Sequence, residues 1–280
     1  MGGDSDATVN KLFGSFGSFM RRILFNILAM GPIPNHIAFI MDGNRRYAKK
    51  QNLKEGAGHK AGYSALMSML KYCYELEVKY ITIYAFSIDN FKRRPEEVQD
   101  VMDLMQEKIE GLVKEESIVN QYGVRVYFIG NLKLMNEPVR VAAEKAMRAT
   151  ANNTRAVLLI CVAYTSSDEI VHAVQQSCQD QEAIQASNGV INEEKQEKHH
   201  AIKLVDLGKH MYMSVAPDPD ILIRTSGETR LSNFLLWQTT NCLLCCPSVL
   251  WPEISLWHLV QAVLNFQRHH SYLEKKKKQL

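Results

Sequence analysis

His36-Ile-Ala-Phe-Ile-Met41, running straight into Asp42-Gly-Asn-Arg-Arg46, is the stretch on which the fold turns. Its first half is apolar without alternation, the pattern of a short strand buried on both faces, as in a parallel sheet covered by helices. Its second half is polar and helix-capable, and the glycine between them permits a sharp change of direction. Asp42 therefore falls at the carboxyl end of a strand, where open α/β sheets bind ligands. Gly43 lets the backbone approach a ligand closely, Asn44 can cap, and Arg45 and Arg46 add two fixed positive charges. Such a corner suits a polyphosphate with a divalent cation held by Asp42. Taken alone, the same five residues also describe an ordinary strand-to-helix turn built on Asp-Gly.

Outward from this corner, strand-like runs recur at Tyr80 to Phe86, Val124 to Ile129, Ala156 to Ala163 and Ile221 to Arg224, rich in β-branched and aromatic residues. Helical spacing occupies Ala61 to Glu77, Pro95 to Glu116, Glu137 to Ala151, Ser167 to Cys178 and Ile254 to Leu273. Strand–helix alternation of this kind predicts an α/β fold with a mainly parallel central sheet flanked by helices. No internal repeat is present. The organisation expected is an N-terminal amphipathic segment over 1–33, one domain over 34–274 with a polar insertion near 179–200, and a frayed basic end over 275–280.

The chain has 280 residues, 46% hydrophobic and 22% charged, enough for one large domain with a sizeable core. A net charge of +3 with no basic stripe interleaved with aromatics gives no reason to expect nucleic acid. Cys242, Cys245 and Cys246 cluster without a zinc spacing and read as apolar strand thiols of a reducing cytosol. No apolar run is long enough to span a bilayer. Leu12, Phe13, Phe16, Phe19, Met20, Ile23, Leu24, Ile27 and Leu28 share one helical stripe, which fits either a helix resting on a membrane surface or one packed on the protein's own core. Asp4 and Asp6 before the stripe argue against a secretory signal, and Asp6 occupies the Ser/Thr position of a myristoylation motif.

Asp42-Gly-Asn-Arg-Arg-Tyr-Ala-Lys-Lys50, then Gly58-His-Lys-Ala-Gly62, resembles the opening signature of the cis-prenyltransferases, the undecaprenyl diphosphate synthase-like family. Tyr84-Ala-Phe-Ser-Ile-Asp-Asn-Phe91 resembles the second signature. Ile223-Arg-Thr-Ser-Gly-Glu-Thr-Arg-Leu-Ser-Asn-Phe-Leu-Leu-Trp-Gln238, followed by Leu250-Trp-Pro-Glu253, resembles the third. The resemblance covers roughly Pro34 to Tyr272, and its wording is most like the eukaryotic dolichol-type and rubber-type catalytic subunits. It implies condensation of isopentenyl diphosphate onto an allylic diphosphate such as farnesyl diphosphate, leaving a new cis double bond, with Mg²⁺ as cofactor. Such chemistry needs no covalent nucleophile but a dense set of donors around two diphosphates. The chain has no Asp-Asp pair, unlike trans-prenyltransferases, and no P-loop.

Carried over residue by residue, the resemblance makes Asp42 the metal ligand and puts Gly43, Asn44, Arg45 and Arg46 around the allylic diphosphate. Arg224, Arg230 and Ser232 match residues that bind the diphosphate of isopentenyl diphosphate, a task suited to the planar fork of arginine. Ser87 and Asn90 match residues near the proton-removal step. His59 is expected at the leaving diphosphate or as a structural histidine, Arg93 as a further phosphate contact, and Phe86 beside the allylic chain or in the core. The apolar face of Val98, Val101, Met102, Leu104, Met105, Ile109, Leu112 and Val113 would line a hydrophobic tunnel for the growing product.

The chain departs from the bacterial pattern at Glu55, where an Arg is usual, at Leu243, where a metal-ligand Glu is usual, and in lacking a C-terminal Arg-x-Gly element. Two-subunit eukaryotic members share that loss and take Arg-x-Gly from a homologous, catalytically silent partner. The expectation is the catalytic half of a heteromer, meeting its partner in part through Trp257, Leu259, Val263 and Phe266. Its expected location is the cytosolic face of the endoplasmic reticulum membrane, held peripherally, or the cytoplasm. The competing readings are a non-catalytic scaffold and a lipid-binding subunit of the same fold.

Overall fold

The computed structural model describes residues 17–114, 117–187 and 202–279. Helix α1 (17–28) precedes strand β1 (His36–Ile40), α2 (Asn44–Lys50), α3 (Glu55–Glu75), β2 (Tyr80–Ser87), α4 (Pro95–Leu112), α5 (Ile118–Gln121) and β3 (Val124–Ile129). Then follow α6 (Glu137–Ala149), β4 (Ala156–Tyr164), α7 (Ser166–Ser187), α8 (Leu204–His210), β5 (Ile221–Arg224), β6 (Leu243–Cys245) and α9 (Leu256–Lys277). The six strands form one parallel sheet in the order β3-β4-β2-β1-β5-β6. The chain leaves β1 toward β2 on one side and later returns to its other side as β5. The carboxyl ends of these three strands thus border a topological switch point, the place where α/β sheets offer a crevice.

All five residues of β1 are buried, as its unbroken apolar run requires. Ile37 and Phe39 enter the larger core, with α3, α4, α6 and α9, while Ala38 and Ile40 face a smaller one with Tyr164, Leu222, Phe234 and Leu235. The five expected strands are present. A sixth strand, β6, falls at the cysteine cluster; it is three residues long, and of the three thiols read as lying in a strand only Cys245 is in it. All three are free, partly buried thiols.

Three boundaries differ from expectation for physical reasons. Helix α3 begins at Glu55 rather than Ala61, because Gly58 and Gly62 are used for close packing rather than as breakers. Helix α7 continues through Ser187, into the stretch expected to be a polar insertion. Its Gln, Glu and Ala residues form helix well, yet carry little apolar periodicity to betray it. Residues 188–201 lie outside the described ones. The basic end is helical through Lys277, whose Nζ lies 2.7 Å from Asp220 Oδ1. The other Asp220 oxygen accepts the N–H groups of Asn35 and His36, so the end of α9 is tied to the start of β1.

The N-terminal stripe divides between the two environments. Phe25 and Leu28 are buried in the larger core with Leu24 against it, and Arg21 pairs with Glu75 at 2.6 Å. Phe19 and Ile27, each 59% exposed, face outward with Met20 and Ile23. Leu12, Phe13 and Phe16 lie outside the described residues. In α9, Leu259, Val263 and Phe266 are buried in the protein's own core, which removes them from the expected partner surface. Trp257 is exposed. Among the described residues no helix is long and apolar enough to cross a membrane.

Candidate active site

The first and third motifs meet at the backbone of Asp42. Its carbonyl accepts from the Thr225 hydroxyl at 2.7 Å, the Ser226 hydroxyl at 3.0 Å and the Trp251 amide at 2.9 Å. The Trp251 indole donates in turn to the Gly62 carbonyl at 2.8 Å, joining the third motif to α3. Gly43 adopts φ 111°, and a Cβ there would stand 2.6 Å from Ser226 Oγ, so only glycine fits this corner. A Cβ on Gly58 would lie 2.2 Å from the Asn44 carbonyl oxygen, and one on Gly62 would lie 2.1 Å from Asn44 Oδ1. These glycines press α3 against the start of α2. Asn44 opens that helix rather than capping it, since Gly43 holds the cap position, and its buried Oδ1 has no hydrogen-bond partner.

Charge is concentrated around this corner. Arg224, at the end of β5 and 4% exposed, donates to Asp42 Oδ2 at 2.9 Å, to Ser232 Oγ at 2.6 Å and to the Arg230 carbonyl. Arg46 donates to the other Asp42 oxygen at 3.0 Å. Burial acts to raise the Asp42 carboxyl, but the Arg224 and Arg46 guanidiniums outweigh it and hold the group below the usual carboxylate range. Glu228 pairs with Arg46 at 3.6 Å and with Arg230, while Glu97 on α4 pairs with Arg45 at 3.3 Å and Arg93 at 2.9 Å. Arginines from both halves of the chain therefore converge at the crevice, outnumbering the carboxylates that meet them, as a polyanion site requires.

Arg224 lines the crevice. Its terminal nitrogens hold Asp42, Ser232 and the 230 carbonyl, and its buried Nε has no hydrogen-bond partner. Arg230, 64% exposed, is the guanidinium available to a ligand on that side. Ser87 and Asn90 sit at the lip and cap a 3-10 turn together: the Asp89 amide donates to Ser87 Oγ at 3.1 Å and the Ser87 amide to Asn90 Oδ1 at 2.9 Å. His59 also lines the crevice, from α3. Phe86 is 2% exposed and packs edge-on against Phe91 while contributing to the cavity wall, so both expected environments apply to it.

The charged mouth opens into a cavity, about 750 Å³ with the mouth included, that runs between the sheet and helices α3 and α4. Ile83, Phe128, Leu158 and Ile160 form its sheet side, and Leu66, Met67, Val101, Leu104, Met105 and Ile109 its helix side. A polar head group at Arg46 and an apolar chain between these walls is the ligand shape that such a site accepts. Lys108 is the exception in the apolar wall, with its Nζ 5.0 Å from the Tyr63 ring centroid.

Several supports were not visible in the sequence. Ser232, Asn233 and Leu235 all have positive φ, and the loop is held by Asn233, whose carbonyl accepts from the Ser166 amide at 2.8 Å and whose Oδ1 accepts from the Ser167 amide at 3.1 Å. Beneath it, buried Glu169 accepts from the Tyr164 hydroxyl at 2.5 Å, the Met213 amide at 2.8 Å and the Gln238 side chain at 3.1 Å. Burial pushes the Glu169 carboxyl up. Glu97 and Glu228, flanked by ordinary surface-like residues, also gave no signal beyond lying within or beside motifs.

A divalent cation fits this donor set in one particular way. Among the described residues no three His, Cys, Asp or Glu side chains converge as a protein cage, and Asp42 is the carboxylate at the strand end. Mg²⁺ is commonly held by one or two carboxylates together with substrate phosphate oxygens and water, which this arrangement allows.

Residues 40–273 match the family described as "Putative undecaprenyl diphosphate synthase". Dehydrodolichyl diphosphate synthase 6 of Arabidopsis thaliana is 62% identical over 100% of this chain and 97% of its own length. A dehydrodolichyl diphosphate synthase complex subunit of Homo sapiens is 42% identical over 92% of this chain and 74% of its own. Among solved structures, lavandulyl diphosphate synthase from Lavandula x intermedia in complex with dimethylallyl diphosphate superposes with a TM-score of 0.73 at 27% identity, over 84% of this chain and 95% of that one.

Proposed function

This chain belongs to the undecaprenyl diphosphate synthase family, the cis-prenyltransferases, and from that premise we propose which of its residues carry cis-prenyl chain elongation and what else the reaction needs. The observation that carries the reading is the junction of an arginine-lined mouth around Asp42 with an apolar cavity beneath it. The allylic diphosphate lies against Gly43, Asn44, Arg45 and Arg46, and its hydrocarbon chain fills the cavity. Isopentenyl diphosphate is held by Arg230 and Ser232, with Arg224 fixing Ser232 and Asp42 in place.

With the two substrates so held, the alkene of isopentenyl diphosphate attacks C1 of the allylic chain. The C1–O bond breaks, the diphosphate leaves with the electron pair, and loss of a proton from the former isopentenyl unit creates the new double bond. Asp42 would hold a divalent cation, which would supply charge neutralisation for the leaving diphosphate. The arginines do the same at fixed positions, without reorganisation at the moment of reaction. Ser87 and Asn90 are weak bases and cap the turn that borders the reacting carbons, so they position while a diphosphate oxygen takes the proton. Farnesyl diphosphate is the allylic primer we assign.

The second part of the proposal is a homologous partner. Arg230 is open to one side, and the human relative is named as a subunit of a complex. A partner's Arg-x-Gly element would close that side, as an arginine supplied in trans completes other phosphate sites. Peripheral membrane contact through the outer face of α1 completes the reading. The test is incorporation of labelled isopentenyl diphosphate by the purified chain, alone and with a homologous partner. Little turnover is expected alone, and turnover with the partner should vanish when only its Arg-x-Gly tail is deleted. Full activity from a rigorously partner-free preparation overturns the heteromeric part.

A further inference from the structure

Repeated elongation poses a problem that a single condensation does not. The bond forms between the alkene carbon of isopentenyl diphosphate and C1 of the allylic chain, and the old allylic diphosphate departs. The lengthened chain therefore carries the diphosphate of the incoming unit. Before the next addition, that diphosphate must pass from the Arg230 side of the site to the Arg46 side.

Glu228 lies on this path. One of its carboxylate oxygens pairs with Arg230 and the other is 3.6 Å from Arg46 Nη1. Among the described ion pairs it joins a guanidinium of each diphosphate site. Glu97 differs, because it joins Arg45 and Arg93, and so does Asp42, whose partner Arg224 is buried. The turn bearing Glu228 is held in place: the Ser226 amide donates to the Val249 carbonyl at 2.7 Å and the Gly227 amide to the Pro247 carbonyl at 2.9 Å. The two guanidiniums are half or more exposed, with 50% and 64% of their side-chain surface open. Solvent-screened pairs of this kind are weak and exchange readily. A weak pair is what a relay needs, since a strong one would hold the arginines against the substrate.

We propose that Glu228 is a positioning residue for diphosphate translocation. It competes with the diphosphate for Arg230, recaptures that guanidinium as the lengthened chain moves to Arg46, and so sets how many additions precede release. This rests on the assignment of Arg46 and Arg230 to two diphosphates. It predicts an unusual signature, in which removing a side chain from the site strengthens ligand binding but impairs elongation.

The experiment uses the full chain, with its partner wherever turnover requires one, and compares wild type with Glu228→Gln and Glu228→Ala. Calorimetric titration with inorganic diphosphate in metal-free buffer should give roughly two- to tenfold tighter binding for both variants, the range expected when one or two exposed ion pairs stop competing. Rapid-quench measurement with one equivalent of isopentenyl diphosphate isolates the first condensation, and later additions should be slowed more than that first step. With excess isopentenyl diphosphate, the product distribution should shift to shorter chains. Weaker diphosphate binding would mean that Glu228 holds Arg46 and Arg230 in their binding positions, and overturns the relay. Unchanged affinity, or unchanged product lengths, overturns it equally. Arg230→Ala separates the two levels: if that variant binds diphosphate as wild type does, the site assignment itself falls, whatever Glu228 does.

Discussion

Replacing Asp42 by Asn tests the centre of the site and has two separable consequences. The carboxylate pairs with Arg224, whose side chain is 5% exposed, while its own is 27% exposed. Breaking a fully buried pair costs about 3–5 kcal/mol and an exposed one about 0–1, so this half-buried case should cost about 2 kcal/mol. For a chain of this length that corresponds to a melting temperature lower by about 3 °C. Turnover should fall far more, by roughly a thousandfold, because the carboxylate that shares a divalent cation with the leaving diphosphate is worth several kcal/mol in the transition state. Metal-free inorganic diphosphate should narrow the thermal gap, since it offers Arg224 and Arg46 the anion they have lost. The assays are calorimetric melting with and without diphosphate, and labelled isopentenyl incorporation under saturating substrate. An Asp42→Asn protein that melts like wild type and turns over within tenfold of it would refute both the pairing argument and the metal assignment.

The other expectations concern the far end of the sheet and the outer surface. His36 is buried, its ring nitrogens engaging the Pro217 carbonyl at 2.6 Å and the Thr82 hydroxyl at 2.7 Å, and burial lowers its pKa to about 4. The unfolded chain, with a value near 6.5, takes up this proton first, so the contribution is complete above about pH 6.5 and is lost as pH falls toward 4, amounting to roughly 3 kcal/mol. Urea unfolding at pH 8, 6 and 5 should show that slope, and His36→Gln should flatten it; equal slopes in the two proteins would sink the argument. Phe19, Ile23 and Ile27 changed together to Ser should release the chain from liposomes in flotation while leaving activity in detergent intact. Retained liposome binding would show that the outer face of α1 is not the contact.

The parallel sheet was legible because its inner strands are largely buried and read as apolar runs, β1 most clearly. Asp42, Gly43 and Arg46 were legible because a strand end, a glycine and fixed charges coincide within five residues. The hidden features have a different physical origin. Strand β6 is too short for any periodicity, and α7 is too polar to show its own. Asn233 looks like a loop residue, yet it fastens the Ser232 loop to the start of α7 across 66 residues of sequence. Glu169 looks like one more acidic residue on a helix, and becomes a buried acceptor only when Tyr164, Met213 and Gln238 fold around it. Long-range pairing of this kind leaves no local trace.

Arg224 shows what such pairing does at the site. In the sequence it is one of two arginines on a glycine-containing turn, equivalent to Arg230 as a phosphate ligand. In the fold it is buried and Arg230 is not, because Arg224 ends a central strand while Arg230 lies six residues on in the loop. A buried guanidinium must have its charge met within the protein, and Asp42 meets it, with Ser232 and the Arg230 carbonyl accepting further hydrogen bonds. That requirement fixes the Asp42 carboxylate and the Ser232 hydroxyl relative to each other, so binding need not order them. The exposed arginines face the opposite demand. In the proposed reaction they release a diphosphate at every addition, and pairs as weak as those of Glu228 with Arg46 and Arg230 would let them do so. The site thus divides its cations by burial, with one arginine spent on geometry and the others left to exchange ligands.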